Sequence, residues 1–365
     1  MSGGGEGGGE APDDGAPVAR APDEGEPRLG EFGAIERWLR PLARTLPGAL
    51  DLTDDAGWLA LPPGRILVAA KDAMVEGRHY FPGEPPEQVA RKLLRVNLSD
   101  LAAMAATPVA YLLALAIPGP DAGKWMRRFA AGLAQDQARY GVALLGGDTV
   151  GTDGPAVMSL TLLGHAPAAE RLLTRGGARP GDDVWVSGTI GDAALAVEAG
   201  YGRIDLAAMG LDAAACAAVE ARRLLPEPRL ALGSALAGIA TACADVSDGL
   251  PADLGHIAET SGVDIRMRVD LVPLSPAARR VVSAGSVSAG AGLAPVVWTG
   301  GDDYELVFTA PPAARRAVMM QGARVGVAVT RIGQVTGQAT GRGRVVLTDA
   351  GGPIVAGGQP GHVHF

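Results

Sequence analysis

The stretch Arg171–Asp192, RLLTRGGARPGDDVWVSGTIGD, divides the chain. Gly176, Gly177, Pro180 and Gly181 cluster where neither helix nor strand is favoured, and the apolar VWVSG then starts a fresh strand. A hinge here suits 365 residues, which is long for one core and ample for two domains sharing an interface. Upstream, apolar runs predict strands at 65–70, 109–117, 142–145 and 156–164, with helices over 86–105 and 121–139. Phe32, Ile35, Trp38, Leu39 and Leu42 recur at helical spacing ahead of them. Downstream, strands are expected near 184–188, 264–271, 304–309 and 343–347. The elements mix without a strict βαβ rhythm, so the fold class is α+β (mixed α/β) with two domains. The expected division is a Gly/Glu/Pro-rich disordered tail over 1–28, a sheet domain over 29–166 and a second α/β domain over 167–365.

Composition narrows the function. Hydrophobic residues make up 47% and aromatics only 4%, so the core must be built from Ala, Val and Leu. A net charge of -8 argues against nucleic acid, whose phosphates need clustered Lys and Arg. Cys216 and Cys243 lack CxxC spacing, which argues against zinc or a disulfide framework and fits a reducing cytoplasm. The uncharged run 101–118 could pass for a membrane span, but Thr107-Pro108 interrupts it. A helix followed by a buried strand is expected instead, with no signal peptide and no membrane partner. Lysine occurs only at positions 71, 92 and 124.

Carboxylates follow the apolar runs repeatedly: Asp55 in DLTDD, Asp72 in LVAAKD, Asp100 in NLSDL, Asp148 in LLGGDT, Asp245 and Asp248 in ADVSDGL, and Asp302 in GGDDYEL. Any one of these could be a helix cap or turn residue, and a cap alone would explain Asp100. Six such acid-bearing motifs behind buried strands suit a hard cation holding phosphates. The neighbouring glycines admit backbone amides to phosphate oxygens, and SDGL ahead of a helix adds an anion-favouring terminus. No GxxxxGK[ST] loop and no GxGxxG after a strand is present, so a nucleotide would be held through acids and metal.

In order, GEFGAIERWL, DDAGWL, KDAMVEGRHY, KLLRVNLSDLAAMAATP, LLGGDT, LLTRGGARPGD, VSGTIGDAA, LLPEPRLALG, DVSDGLPADLGHI and GGDDYEL resemble the thiamine-monophosphate kinase family. That family is related to aminoimidazole-ribonucleotide synthetase and selenophosphate synthetase. The resemblance runs from Gly30 to the C-terminal His-Phe. It implies a fold similar to aminoimidazole-ribonucleotide synthetase, with an N-terminal sheet domain and a C-terminal α/β sandwich, assembled as a homodimer. The implied reaction moves the γ-phosphate of ATP onto thiamine monophosphate in the presence of several Mg²⁺ ions. Asp55, Asp72, Asp100, Asp148, Asp245 and Asp248 match metal ligands. Gly147, Asp148, Arg175 and Ser247 match contacts to ATP, and His79 and Asp302 match contacts to the substrate. Asp148 and Asp248 are the implied catalytic acids. Lys71 replaces a hydroxyl of the family's Ser-Thr-Asp and is expected to stand among the acids as a cation or to reach a phosphate. DLTDD replaces Gly-Ile-Gly-Asp-Asp, and Asp302 replaces a glutamate. The family's substrate-stacking aromatic has no counterpart in GGQPGHVHF. A sister phosphotransferase with another acceptor and a non-catalytic paralogue are the competing readings.

Overall fold

The computed structural model describes residues 30–119, 122–284 and 293–354; the tail 1–28 and the C-terminal GGQPGHVHF lie outside them. Two short helices, α1 (Glu31–Ala34) and α2 (Arg40–Ala43), are joined by a π-helical turn at Ile35–Leu39. They lead into a four-stranded sheet of β1 (Ile66–Val75), β2 (Thr107–Pro118), β3 (Ala143–Thr152) and β4 (Val157–Ala166), in the order β1-β4-β2-β3. Only β2 and β3 run parallel. The long helices α3 (Pro86–Ala103) and α4 (Ala122–Tyr140) cover one face of it. Leu93, Leu94, Leu98, Phe129 and Leu133 there meet Tyr111, Leu113, Leu160 and Leu162, all fully or nearly fully buried.

Among the described residues, nothing covers the opposite face of this sheet. Leu67, Ala69, Lys71 and Ala73 on β1, and Leu112 and Ala114 on β2, are exposed there. Successive residues on a strand point to opposite sides, so this row alternates with the buried one.

The second sheet holds seven strands in the order β11-β10-β7-β9-β5-β8-β6. They are β5 (Asp183–Ser187), β6 (Ala242–Asp245), β7 (Val263–Arg268), β8 (Leu306–Ala310), β9 (Val329–Gln338), β10 (Val345–Asp349) and β11 (Gly352–Pro353). On one face α8 (Leu250–Ser261) places Leu250, Leu254 and Ile257 against Val263, Ile265 and Val307. On the other, α7 (Leu230–Leu236) and α11 (Arg315–Arg324) cover Trp185 and Phe308. The remaining helices, α5 (Asp192–Gly200), α6 (Ala213–Leu224), α9 (Pro276–Ala284) and α10 (Ala294–Thr299), pack around Leu195, Val219 and Val281. The class is α+β, as expected from the sequence.

Helix α3 joins the two halves. It begins at Pro86, a residue suited to the first helical turn, and ends where Ala105 turns to φ 57° before Thr107-Pro108. Burial almost all round forces its polar residues to find partners. Arg95 pairs with Asp136 of α4 at 2.6 Å and donates to the carbonyls of Leu225 and Pro226 in the second half. Gly233 of α7 lies so close that a Cβ would stand 1.9 Å from the Ala102 carbonyl oxygen.

Two strands outrun the sequence-based expectation. β1 continues through Lys71 and Asp72 to Val75, and β3 continues through Gly147 and Asp148 to Thr152. Lys71 and Asp148 lie within strands, not after them, because the open face of the sheet accepts polar side chains at alternate positions. Asp72 points the other way, towards α3. β9 was not anticipated at all, although it sits in the middle of its sheet.

Candidate active site

Four of the anticipated acids gather where α3 meets the second sheet. Asp72 points inward from β1, with its backbone N–H donating to Asn97 Oδ1 of α3 at 3.1 Å. Asp100 sits on the same helix and hydrogen-bonds the Asp72 carboxyl. Asp245 closes β6, and Asp248 follows in the turn before α8. Burial is the main force on these groups, and their mutual repulsion adds to it. Burial, then the charges of Asp245 and Asp72, push Asp100 up to about 8. Burial and Asp72 push Asp245 up to about 6. Burial likewise raises Asp72, with Asp248 contributing. The positive charge of Arg175 acts against this on Asp100 and Asp245, so the hinge arginine lies within reach of the cluster.

Asp253, overlooked in the sequence, organises the SDGL turn. Its Oδ2 accepts the backbone N–H groups of Ser247 and Asp248, both at 3.0 Å. Two backbone N–H groups of the turn ahead of α8 are therefore engaged by the protein's own carboxylate. Gly249 is required here: it takes φ 113°, and a Cβ would meet the Thr299 carbonyl oxygen at 2.3 Å. Asp248, Asp253 and His256 offer ligand atoms within 4.8 Å of one another, a further potential cation group among the described residues.

The GGDDYEL segment alternates between site and core. Asp303 is fully buried and accepts the Gly191 N–H at the start of α5, and buried Glu305 pairs with Arg222 and Arg229. Asp302 and Tyr304 face the acid cluster instead. The loop is zipped to SDGL by Asp302 N–H to Ser247 O at 2.9 Å and Tyr304 N–H to Val246 O at 2.8 Å. Burial, followed by the charges of Asp302, Asp72, Asp245 and Asp100, keeps the Tyr304 hydroxyl protonated. His79 lies in the turn after β1. Its Nδ1 accepts the Val75 N–H at 3.0 Å, so the neutral ring carries its proton on Nε2.

The other anticipated residues lie elsewhere in the chain. Asp148 is exposed on β3, its Oδ1 accepting the Thr149 N–H at 2.9 Å. Gly147 beside it has no room for a Cβ, which would stand 1.9 Å from the Leu113 carbonyl oxygen. Asp55 is exposed in a loop whose Gly57 packs on Leu145, again on the β3 side. Paired rows run Asp148–Ala114–Ser159–Ala73 across the sheet, so Asp148 and Asp72 are three strands apart. At ~4.8 Å per strand that is roughly 14 Å, with the side chains on opposite faces. Lys71 also faces away from Asp72, donating to Ser159 Oγ at 2.8 Å and Thr161 Oγ1 at 3.4 Å. It therefore does not stand among the acids of its own chain, as its place in AKD had led us to expect. Of the three lysines, Lys92 is the one that reaches Asp302.

A four-stranded sheet backed by two helices, joined through α3 to a helix-covered second sheet with carboxylates at the junction, defines the AIR-synthase-related class. Residues 53–166 match the family model for the AIR synthase related protein N-terminal domain, and residues 179–346 match that for the C-terminal domain. Hydrogenase maturation protein HypE shares the fold at 18% identity and a TM-score of 0.68, covering 89% of this chain and 94% of HypE. Thiamine-monophosphate kinase of Caulobacter vibrioides is 46% identical over 326 residues, 89% of this chain and 87% of the relative. The Escherichia coli K12 enzyme of that name is 38% identical, covering 86% and 92% respectively. The Stenotrophomonas maltophilia thiamine-monophosphate kinase structure superposes with a TM-score of 0.71 at 36% identity, covering 80% and 89%. AaThiL complexed with AMPPCP and TMP gives 0.68 at 28%, covering 92% and 97%. The chain belongs to the thiamine-monophosphate kinase family.

Proposed function

We propose that this protein phosphorylates thiamine monophosphate to thiamine diphosphate with ATP, releasing ADP. The observation that carries this reading is the meeting of Asp72, Asp100, Asp245 and Asp248 beside Arg175 in a member of this family. The acceptor is already an anionic phosphate oxygen, so no general base is needed. The difficulty is to bring two polyanions into line. Buried carboxylates that repel one another fit hard divalent cations, and they would hold Mg²⁺. When bound, Mg²⁺ supplies the positive charge that lets the phosphates approach each other. Arg175 and Ser247, with Gly147 and Asp148, contact ATP; His79 and Asp302 orient the acceptor.

A homodimer follows from the same chemistry. Asp72 and Asp148 cannot serve one nucleotide across roughly 14 Å of sheet within a single chain. The uncovered face, with Leu67 at 55% and Leu112 at 40% exposure, supports a second copy packing sheet against sheet. That arrangement lets the partner's Asp148 and Asp55 complete each cluster, and it turns Lys71 towards the partner's Asp148 and an ATP phosphate. The free thiols of Cys216 and Cys243 suit a cytoplasmic site of action.

The deciding experiment incubates the protein with ATP, Mg²⁺ and thiamine monophosphate and follows both products. Thiamine diphosphate and ADP should appear in equal amounts, and chelation should stop both. ATP binding without turnover or binding of thiamine monophosphate would overturn this reading.

A further inference from the structure

His79 and Asp302 belong to different halves of the molecule, yet one side chain holds both. The Lys92 ammonium of α3 donates to Asp302 Oδ2 at 2.8 Å and to the His79 carbonyl oxygen at 3.2 Å. Lys92 is 3% exposed and Asp302 28%, so the pair sits at the floor of the site with the carboxylate at its rim. The second oxygen of Asp302 accepts the Tyr304 hydroxyl at 3.3 Å. Asp302 and Tyr304 both take positive φ, 69° and 51°, a conformation that non-glycine residues hold only when their surroundings impose it. The ion pair and the bonds to SDGL are what impose it here.

We propose that Lys92 is a positioning residue for the acceptor substrate. Its ammonium fixes the Asp302 carboxylate and the His79 turn at one spacing, so that Asp302 offers a remaining lone pair to an N–H group on the substrate's pyrimidine. The ammonium also holds this short carboxylate in place beside four other acids. The inference rests on the kinase reading above. The competing role for the same contact is that of a clamp between the two halves. The two roles separate cleanly, because the residues assigned to ATP also come from both halves. A lost clamp would weaken both substrates, whereas a lost positioning contact weakens only the acceptor.

The test is steady-state kinetics on Lys92→Met, Asp302→Asn and the double variant, beside the wild type. Lys92→Met should raise the KM for thiamine monophosphate roughly 10- to 100-fold, the range for losing a hydrogen bond to a charged group. The KM for ATP should stay within about twofold. The double variant should be no worse than the poorer single variant, because the two residues act as a unit. If Lys92→Met does not fold, the double variant, which leaves no unpaired charge, is compared with Asp302→Asn alone. Equal KM values for thiamine monophosphate then support the proposal. A joint rise of both KM values, an unmoved acceptor KM, or additive effects overturns it. Wild-type protein that makes no thiamine diphosphate overturns the kinase reading and this inference with it; an active wild type with unaltered variants overturns this inference alone.

Discussion

Replacing Asp100 with Asn should stabilise the metal-free protein and abolish turnover. Burial and the charges of Asp245 and Asp72 raise the Asp100 carboxyl from its ordinary 3.8 to about 8. At neutral pH it therefore keeps its proton and shares a hydrogen bond with Asp72. A carboxyl raised in the folded state binds its proton more tightly there than in the unfolded chain. Its contribution is fully present below about pH 4 and is lost as the pH rises towards about 8. At ~1.4 kcal/mol per pH unit, holding the proton at pH 7 costs about 4 kcal/mol, and at pH 5 under 2 kcal/mol. Asn keeps the shape, still offers an N–H to Asp72, and has no proton to retain. Solvent reaches this half-buried side chain and relieves part of the cost, so the expected gain at pH 7 is roughly 2–4 kcal/mol. That corresponds to a Tm rise of roughly 3–5 °C for a chain of this size. The assay is thermal unfolding in chelator from pH 5 to 8.5. The Tm advantage of the variant should widen as pH rises, while Mg²⁺ and ATP stabilise it less than they do the wild type. A variant that melts below the wild type at pH 7, or a Tm difference that does not change with pH, would refute the reasoning.

Asp253→Ala leaves the Ser247 and Asp248 N–H groups without their acceptor; we expect a loss of roughly 1–3 kcal/mol in thermal unfolding and a raised KM for ATP, since the turn loses its frame. Leu112→Glu puts a charge in the middle of the uncovered sheet face, and an unpaired charge buried in an interface costs several kcal/mol. Sedimentation should show a folded monomer, with activity reduced at least ~10-fold because each cluster then lacks the partner's acids; a fully active dimer would contradict the shared site.

Much of the fold was legible because apolar runs of sufficient length leave few choices. The expected strands at 109–117 and 156–164 and the helices at 86–105 and 121–139 lie within one to three residues of β2, β4, α3 and α4. β9 escaped notice because VTRIGQVTGQ reads as a loop, with two glycines and two glutamines. One of those glycines is demanded by the sheet itself: a Cβ on Gly333 would meet the Arg266 carbonyl oxygen at 2.2 Å. Neighbouring strands β5 and β7 supply the hydrogen bonds that the local sequence gives no reason to expect.

The family was also carried by the sequence. The ordered motifs, from KDAMVEGRHY through DVSDGLPADLGHI to GGDDYEL, were enough to indicate it. What the sequence could not decide was which of the carboxylates in these motifs meet. Asp72 and Asp148 look equivalent along the chain, but strand order places them on opposite edges and opposite faces of one sheet. Lys71 and Lys92 are equally rare and equally close to motifs. Strand alternation turns the first away, while burial of α3 between two cores drives the second onto Asp302. Residue type and local pattern act over a few positions, so they are written in the sequence. Strand order and helix burial arise from contacts between segments up to 210 residues apart, as in the Lys92–Asp302 pair, and only the packed chain sets them.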